Sequence, residues 1–81
     1  MNTDMFLGQV EAFAFNYAPP GWLACQGQLL PINNNAALFS VLGTTYGGDG
    51  VRDFGLPKLA PLSQDGPNYF ICVDGRYPSR N

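Results

Sequence analysis

At 81 residues, with a net charge of −2 and no histidine, the chain is one domain without the basic stripe that phosphate neutralisation requires, which excludes nucleic-acid binding by charge. Only 12% of its residues are charged and 46% are hydrophobic, so a domain that buries about two-thirds of its extended surface is expected to cover the rest against copies of itself. No apolar run is long enough to span a bilayer, and no basic segment followed by an apolar one marks a secretory signal peptide, so neither membrane insertion nor that export route is predicted.

Residues 1–5 are expected to form an N-terminal arm. Residues 6–17, FLGQVEAFAFNY, alternate in the manner of a strand. One face carries Val10, Ala12 and Ala14. The other carries Gln9 and Glu11, then Phe13, Phe15 and Tyr17. The second half is apolar on both faces, which predicts cover on both sides. Ala18-Pro19-Pro20-Gly21 stops the strand, because proline has no amide to donate and glycine permits a sharp turn.

Residues 22–30, WLACQGQLL, read as two short strands about Gln26-Gly27. Residues 69–77, YFICVDGRY, repeat that design about Asp74-Gly75, a pair suited to a type I′ turn. Pro31 and Pro78 close the two units. Between them, Asn33-Asn34-Asn35 offers N-caps for a helix over 36–42, and Leu38, Val41 and Leu42 share one face of it. Gly43 is placed to be its C-cap. Residues 44–55 read as loop, and the proline-punctuated stretch that follows reads as a connector, short over 60–67. Residues 78–81 are a C-terminal tail. The expected fold is mainly β with one short α-helix, a small irregular domain of β-hairpins.

The chemistry available is sparse. Asp49 and Asp53 are the one close carboxylate pair, read as loop aspartates accepting backbone amides in preference to calcium ligands, because GGDGVRD carries too few acidic groups. Gly47-Gly48-Asp49-Gly50 has its helix before it and no lysine after it, so it reads as a tight turn and not as a phosphate cradle. Cys25 and Cys72 sit in apolar strand contexts and admit three readings: buried thiols, an intrachain disulfide, or interchain bonds. No serine or cysteine has a histidine to activate it, so no enzyme, metal or cofactor is expected. Trp22 reads as a core aromatic beside a turn before it reads as a sugar platform. Phe6, Phe13, Phe15, Tyr17, Tyr46, Tyr69 and Tyr77 are the candidate subunit-interface residues.

Several stretches together resemble the phage tail collar domain, also found in the bacterial microcystin-dependent protein family. They are Phe6-Leu7-Gly8, FAFNYAPPGWLACQGQLLPI over 13–32, ALFSVLGTTYGGDG over 37–50, and FGLPKL over 54–59. The end, from Asn68-Tyr69 through Tyr77-Pro78-Ser79-Arg80, resembles the C-terminal segment of the bacterial family. Its members carry a longer Gly-rich region after the Leu-Pro-x-Leu motif, often with Arg-Gly-Arg, which here shrinks to APLSQDGP over 60–67. The resemblance implies a structural role in extracellular, fibre-like assemblies and no enzymatic activity. The expectation is a self-assembling structural protein, extracellular or virion-associated, whose partners are copies of itself. Its apolar and strand-edge contacts, with residues 1–6 and 78–81 as candidate arms, would build a tail-fibre-like filament. The alternative is a closed trimeric collar or receptor-binding tip. A cell-surface glycan held by Trp22 and the tyrosines is the third reading.

Overall fold

The computed structural model describes residues 5–15, 17–61 and 67–77. Most of the expected arm and all of the tail lie outside the described residues, as do residues 62–66 of the connector. The described chain is mainly β with a single α-helix: β1 (Val10–Phe13), β2 (Trp22–Ala24), β3 (Leu29–Pro31), α1 (Ala36–Leu42), β4 (Asp53–Gly55) and β5 (Asn68–Cys72). They form a three-stranded antiparallel sheet in the order β1-β5-β2 and a two-stranded antiparallel sheet β3-β4.

None of these pairings is a tight hairpin, which corrects both expected hairpin units. In the first, residues on either side of Gln26-Gly27 join different sheets. Cys25 is the junction. Its amide donates to the Tyr69 carbonyl at 3.1 Å, continuing the β2–β5 ladder, and its carbonyl accepts from the Leu59 amide at 3.0 Å. Beyond it the chain runs antiparallel to residues 53–59, through the Gln26–Lys58 bridge and on to Pro31 opposite Asp53. In the second unit, neither Asp74 nor Gly75 has positive φ, so no type I′ turn forms. The chain bends there, and Arg76 makes a parallel bridge to Phe6. Gly75 is glycine for a different reason: a Cβ would overlap the Met5 carbonyl and the Cys72 sulfur.

The helix spans the residues expected of it. Its C-cap is Gly43, φ 61°, whose amide donates to the Phe39 carbonyl at 2.7 Å. The asparagine before it caps differently from expectation: Asn35 gives its side-chain amide to the Pro31 carbonyl at 2.9 Å, tying α1 back to the 3-10 turn Ile32–Asn34. Leu38 enters the core, while Phe39, Val41 and Leu42 pack against its margin. That core is Leu7, Cys25, Leu38, Phe54, Leu56 and Ile71, lying between the inner face of the three-stranded sheet, α1 and β4. Burying each of its large side chains is worth about 1.5–3 kcal/mol, and this packing holds a two-turn helix that is marginal in isolation.

The expected loop over 44–55 contains β4 and folds onto it. The Gly55 amide donates to the Gly47 carbonyl at 2.9 Å, and the Gly50 amide to the Asp53 carbonyl at 3.0 Å. The backbones approach so closely that a Cβ on Gly48 would overlap Phe54 Cα, and the φ of 90° there suits glycine as well.

Candidate interaction surface

The register of β1 and β2 on β5 decides which side chains meet. Val10 lies opposite Ile71 and Ala12 opposite Tyr69, on the side of the core. Glu11 lies opposite Phe70 and Phe13 opposite Asn68, on the outer side. Trp22 and Ala24, opposite Cys72 and Phe70, also face outward. The outer face of the sheet therefore collects Phe13, Trp22 and Phe70, and the chain beyond β1 adds Phe15 and Tyr17.

These five rings form one connected cluster. Phe13 stacks on Phe15 with centroids 5.2 Å apart, and Phe15 stacks on Tyr17 at 4.7 Å. Trp22 meets Phe13 edge to face at 5.2 Å, and Phe70 touches both phenylalanines at 5.6 and 6.3 Å. Such ring pairs contribute about 0.5–1.5 kcal/mol each beyond area burial. Phe70 is buried beneath the others, Phe13 and Trp22 are half-buried, and Phe15 and Tyr17 remain 37% and 64% exposed. A contiguous aromatic surface on a small domain is a candidate contact site, whereas a scattered exposed ring needs no explanation.

The expectation that β1 is covered on both sides is corrected. It is an edge strand among the described residues, Val10 and Ala12 are exposed, and Phe15 and Tyr17 keep an exposed side beyond their contacts with the other rings. Physically, the described residues place α1 and β4 against the inner side of the three-stranded sheet and no further element on its outer side. The edge itself is clearly delimited. At Gly8 the amide donates to the Cys72 carbonyl at 2.9 Å, while the Cys72 amide donates to the Gln9 carbonyl at 2.9 Å. Two residues thus oppose one, a β-bulge with Gly8 at φ 85°. Antiparallel pairing alternates from there, so Glu11 and Phe13 bond to β5, and the backbone amides and carbonyls of Val10 and Ala12 point away from it.

The other candidate interface residues lie elsewhere. Tyr69 is on the inner face and packs against the core. Tyr46 is exposed in the glycine loop. Phe6 and Tyr77 flank the Phe6–Arg76 bridge, with the Arg76 guanidinium 6.0 Å from the Phe6 ring and the Tyr77 hydroxyl 2.6 Å from that of Ser40. The structure therefore brings Phe13, Phe15 and Tyr17 together and separates the remaining four from them. Phe70 was missed in the sequence. Its place among the rings follows from the β1–β5 register, which no local pattern encodes.

Chemically reactive arrangements are scarce among the described residues, where no group of three or more histidine, cysteine, aspartate or glutamate side chains gathers. Asp49 is engaged as expected of a loop aspartate. Its Oδ1 accepts the amides of Val51, Arg52 and Asp53 at 2.8, 2.8 and 3.2 Å, while its own amide donates to Asp53 Oδ1 at 3.0 Å. The Arg52 amide, followed by those of Val51 and Asp53, holds the Asp49 carboxyl below its ordinary value. Cys25 and Cys72 are both free and buried. The disulfide considered for them does not fit this register: Cys72 lies opposite Trp22 and Cys25 opposite Tyr69, about 10 Å along the strands and on opposite faces. Burial pushes the Cys25 thiol up, away from the reactive thiolate. No helix of the described chain is long and apolar enough to cross a membrane.

A family model, the phage tail collar domain, matches residues 8–63. No curated protein matches the chain.

Proposed function

Because the chain belongs to the phage tail collar domain family, we propose that it is a non-enzymatic structural subunit that assembles with copies of itself into a tail-fibre-like filament. A tail component is a virion-associated, extracellular part, and the same location is proposed here. The observation that carries the reading is the aromatic face of the sheet. Phe13, Phe15, Tyr17 and Trp22 present stacked rings to solvent beside a strand edge whose one charge, Glu11, is bonded to the Gln9 side chain at 2.7 Å. Neighbouring copies would cover the rings and pair the edge, which supplies the apolar and backbone contacts that a chain so poor in charge needs.

Growth into a filament requires a contact that does not close, whereas a ring of three requires one that does. Sedimentation velocity across a concentration series, with negative-stain imaging of the same samples, separates the two. The expected result is particles of uniform width whose mass grows with concentration. A fixed species of three copies would replace the filament with the closed collar. A sharp monomer peak at micromolar concentration would remove self-assembly altogether.

A further inference from the structure

We propose that two copies pair through β1 about a two-fold axis at Ala12, joining their sheets into one of six strands. This rests on the self-association reading above and names the contact by which it begins.

Three observations carry it. First, the outward edge has no strand partner among the described residues, and its one charge, Glu11, is bonded to the Gln9 side chain. Val10 and Ala12 turn their amides and carbonyls away from β5, and β1 contains no lysine, proline or bulge of the kind that natural edges use against pairing. The bulge at Gly8 and Gln9 lies just before the strand and bounds the pairing on that side. Second, the core leaves room. Val10 is 38% exposed and Ala12 is exposed on the inner side of the sheet, so no described residue overhangs the edge where a second copy's strand would lie. Third, the strand is complementary to itself in one register. With Ala12 opposite Ala12 of the second copy, Glu11 falls opposite Phe13 and Val10 opposite Ala14. A register centred on Glu11 would instead set two carboxylates face to face, which destabilises cross-strand pairs.

The occupant is therefore a second copy of this chain. Opposed residues share a face, so the aromatic surfaces of the two copies become one broader surface on the same side of the joined sheet. A two-fold contact closes on itself. Further growth would then use that shared aromatic face.

The test is cysteine cross-linking in the full chain. Val10→Cys and Ala14→Cys are made separately, mixed, allowed to assemble and oxidised. Residues 10 and 14 of opposite copies would stand about 5.5 Å apart between Cα atoms, within disulfide reach. A covalent dimer is expected from the mixture and from neither variant alone. Unmodified protein is the control for the two buried native thiols. Ala12→Lys, at an exposed position, sets two like charges on the axis and is expected to keep the fold by near-ultraviolet circular dichroism while assembling far less than the unmodified chain. Should that variant fail to fold, the cross-link decides alone. Assemblies that give no 10–14 cross-link would overturn the pairing and leave self-association standing. A dimer from Val10→Cys by itself would overturn the register. A chain that remains monomeric throughout would remove the underlying reading as well.

Discussion

Phe13 and Trp22 meet edge to face across the outer side of the sheet, centroids 5.2 Å apart and planes at 86°. They come from strands that do not touch: β5 lies between β1 and β2, and its Phe70 fills the floor beneath them. A small domain gains little by assembling five rings on the side of a sheet that its own core does not use, unless something covers them. This arrangement distinguishes two substitutions within the same cluster.

Phe15→Asp and Phe13→Asp are expected to act differently. Phe15 is more than a third exposed, so a carboxylate there keeps its water. The fold should survive, with a thermal midpoint within a few degrees of the parent, while assembly is lost. Phe13 touches Phe15, Trp22 and Phe70 and is half-buried, and a charge in its place lacks a partner. That costs about 2 kcal/mol or more of folding stability. Sedimentation reports the assembly, and Trp22 fluorescence reports the fold. Undisturbed assembly of Phe15→Asp would show that the rings are not the contact.

The glycine loop gives a graded comparison. Gly43→Ala places a methyl in open space at φ 61°, so only the backbone conformation is strained, at about 1–2 kcal/mol. Gly48→Ala adds an overlap with Phe54 Cα at φ 90°, and Phe54 lies at the centre of the core. Strain and overpacking together should cost about 3–5 kcal/mol, much of the stability of so small a domain. Urea titrations of the two variants should rank them in that order. Equal midpoints would mean that the loop does not press on β4 as described.

How much of this the sequence carried depends on the range of the cause. The helix was legible because its determinants are local: the spacing of Leu38, Val41 and Leu42, and Gly43 at its end. The Asp49 turn was legible for the same reason, since its acceptors and donors lie within four residues of one another. The strand over 10–13 was legible as alternation, but alternation does not say whether a face finds cover, and no described element covers the outer one. The two glycine-centred units misled because their causes are distant. Gln26-Gly27 passes between sheets by pairing with residues some thirty positions away, around Lys58. Gly75 answers to Met5 and Cys72, not to a hairpin. The interface candidates fared likewise: Phe13, Phe15 and Tyr17 share a face by alternation, whereas Tyr69 is one residue from the outward Phe70 and faces the core.

Acid should loosen the glycine loop through Asp49. The amides of Arg52, Val51 and Asp53 lower its folded pKa below the unfolded value. A depressed carboxylate contributes stability that is complete above the ordinary carboxylate value, near about pH 4, and is lost as pH falls through the folded value. The urea midpoint of the parent should thus decline on acidification below about pH 4. Asp49→Asn keeps one acceptor oxygen but cannot titrate, so it should start lower at neutral pH and decline less. Parallel acid limbs in the two proteins would exclude this carboxylate as a source of the dependence.

The thiols supply the last expectation, and it bears on assembly as well as fold. Cys25 holds both sheets through its backbone and fills the core with its side chain, and Cys72 is enclosed by the bend at Gly75. Neither sulfur reaches the other, and neither lies on the aromatic face with its side chain open to solvent. Native protein at neutral pH should therefore react slowly with a thiol reagent and show two reactive groups only when urea unfolds it. Burial raises the Cys25 pKa, so the neutral thiol is the form the fold favours. Its contribution is complete below the unfolded value and is lost as pH rises through the folded one, which places the loss on the alkaline side. Assemblies held by the proposed apolar contacts and backbone pairing should keep their width and mass in reductant. Dissociation by reductant alone would instead mean that one of these cysteines reaches a neighbouring copy, and the buried positions described here would have to open for it to do so.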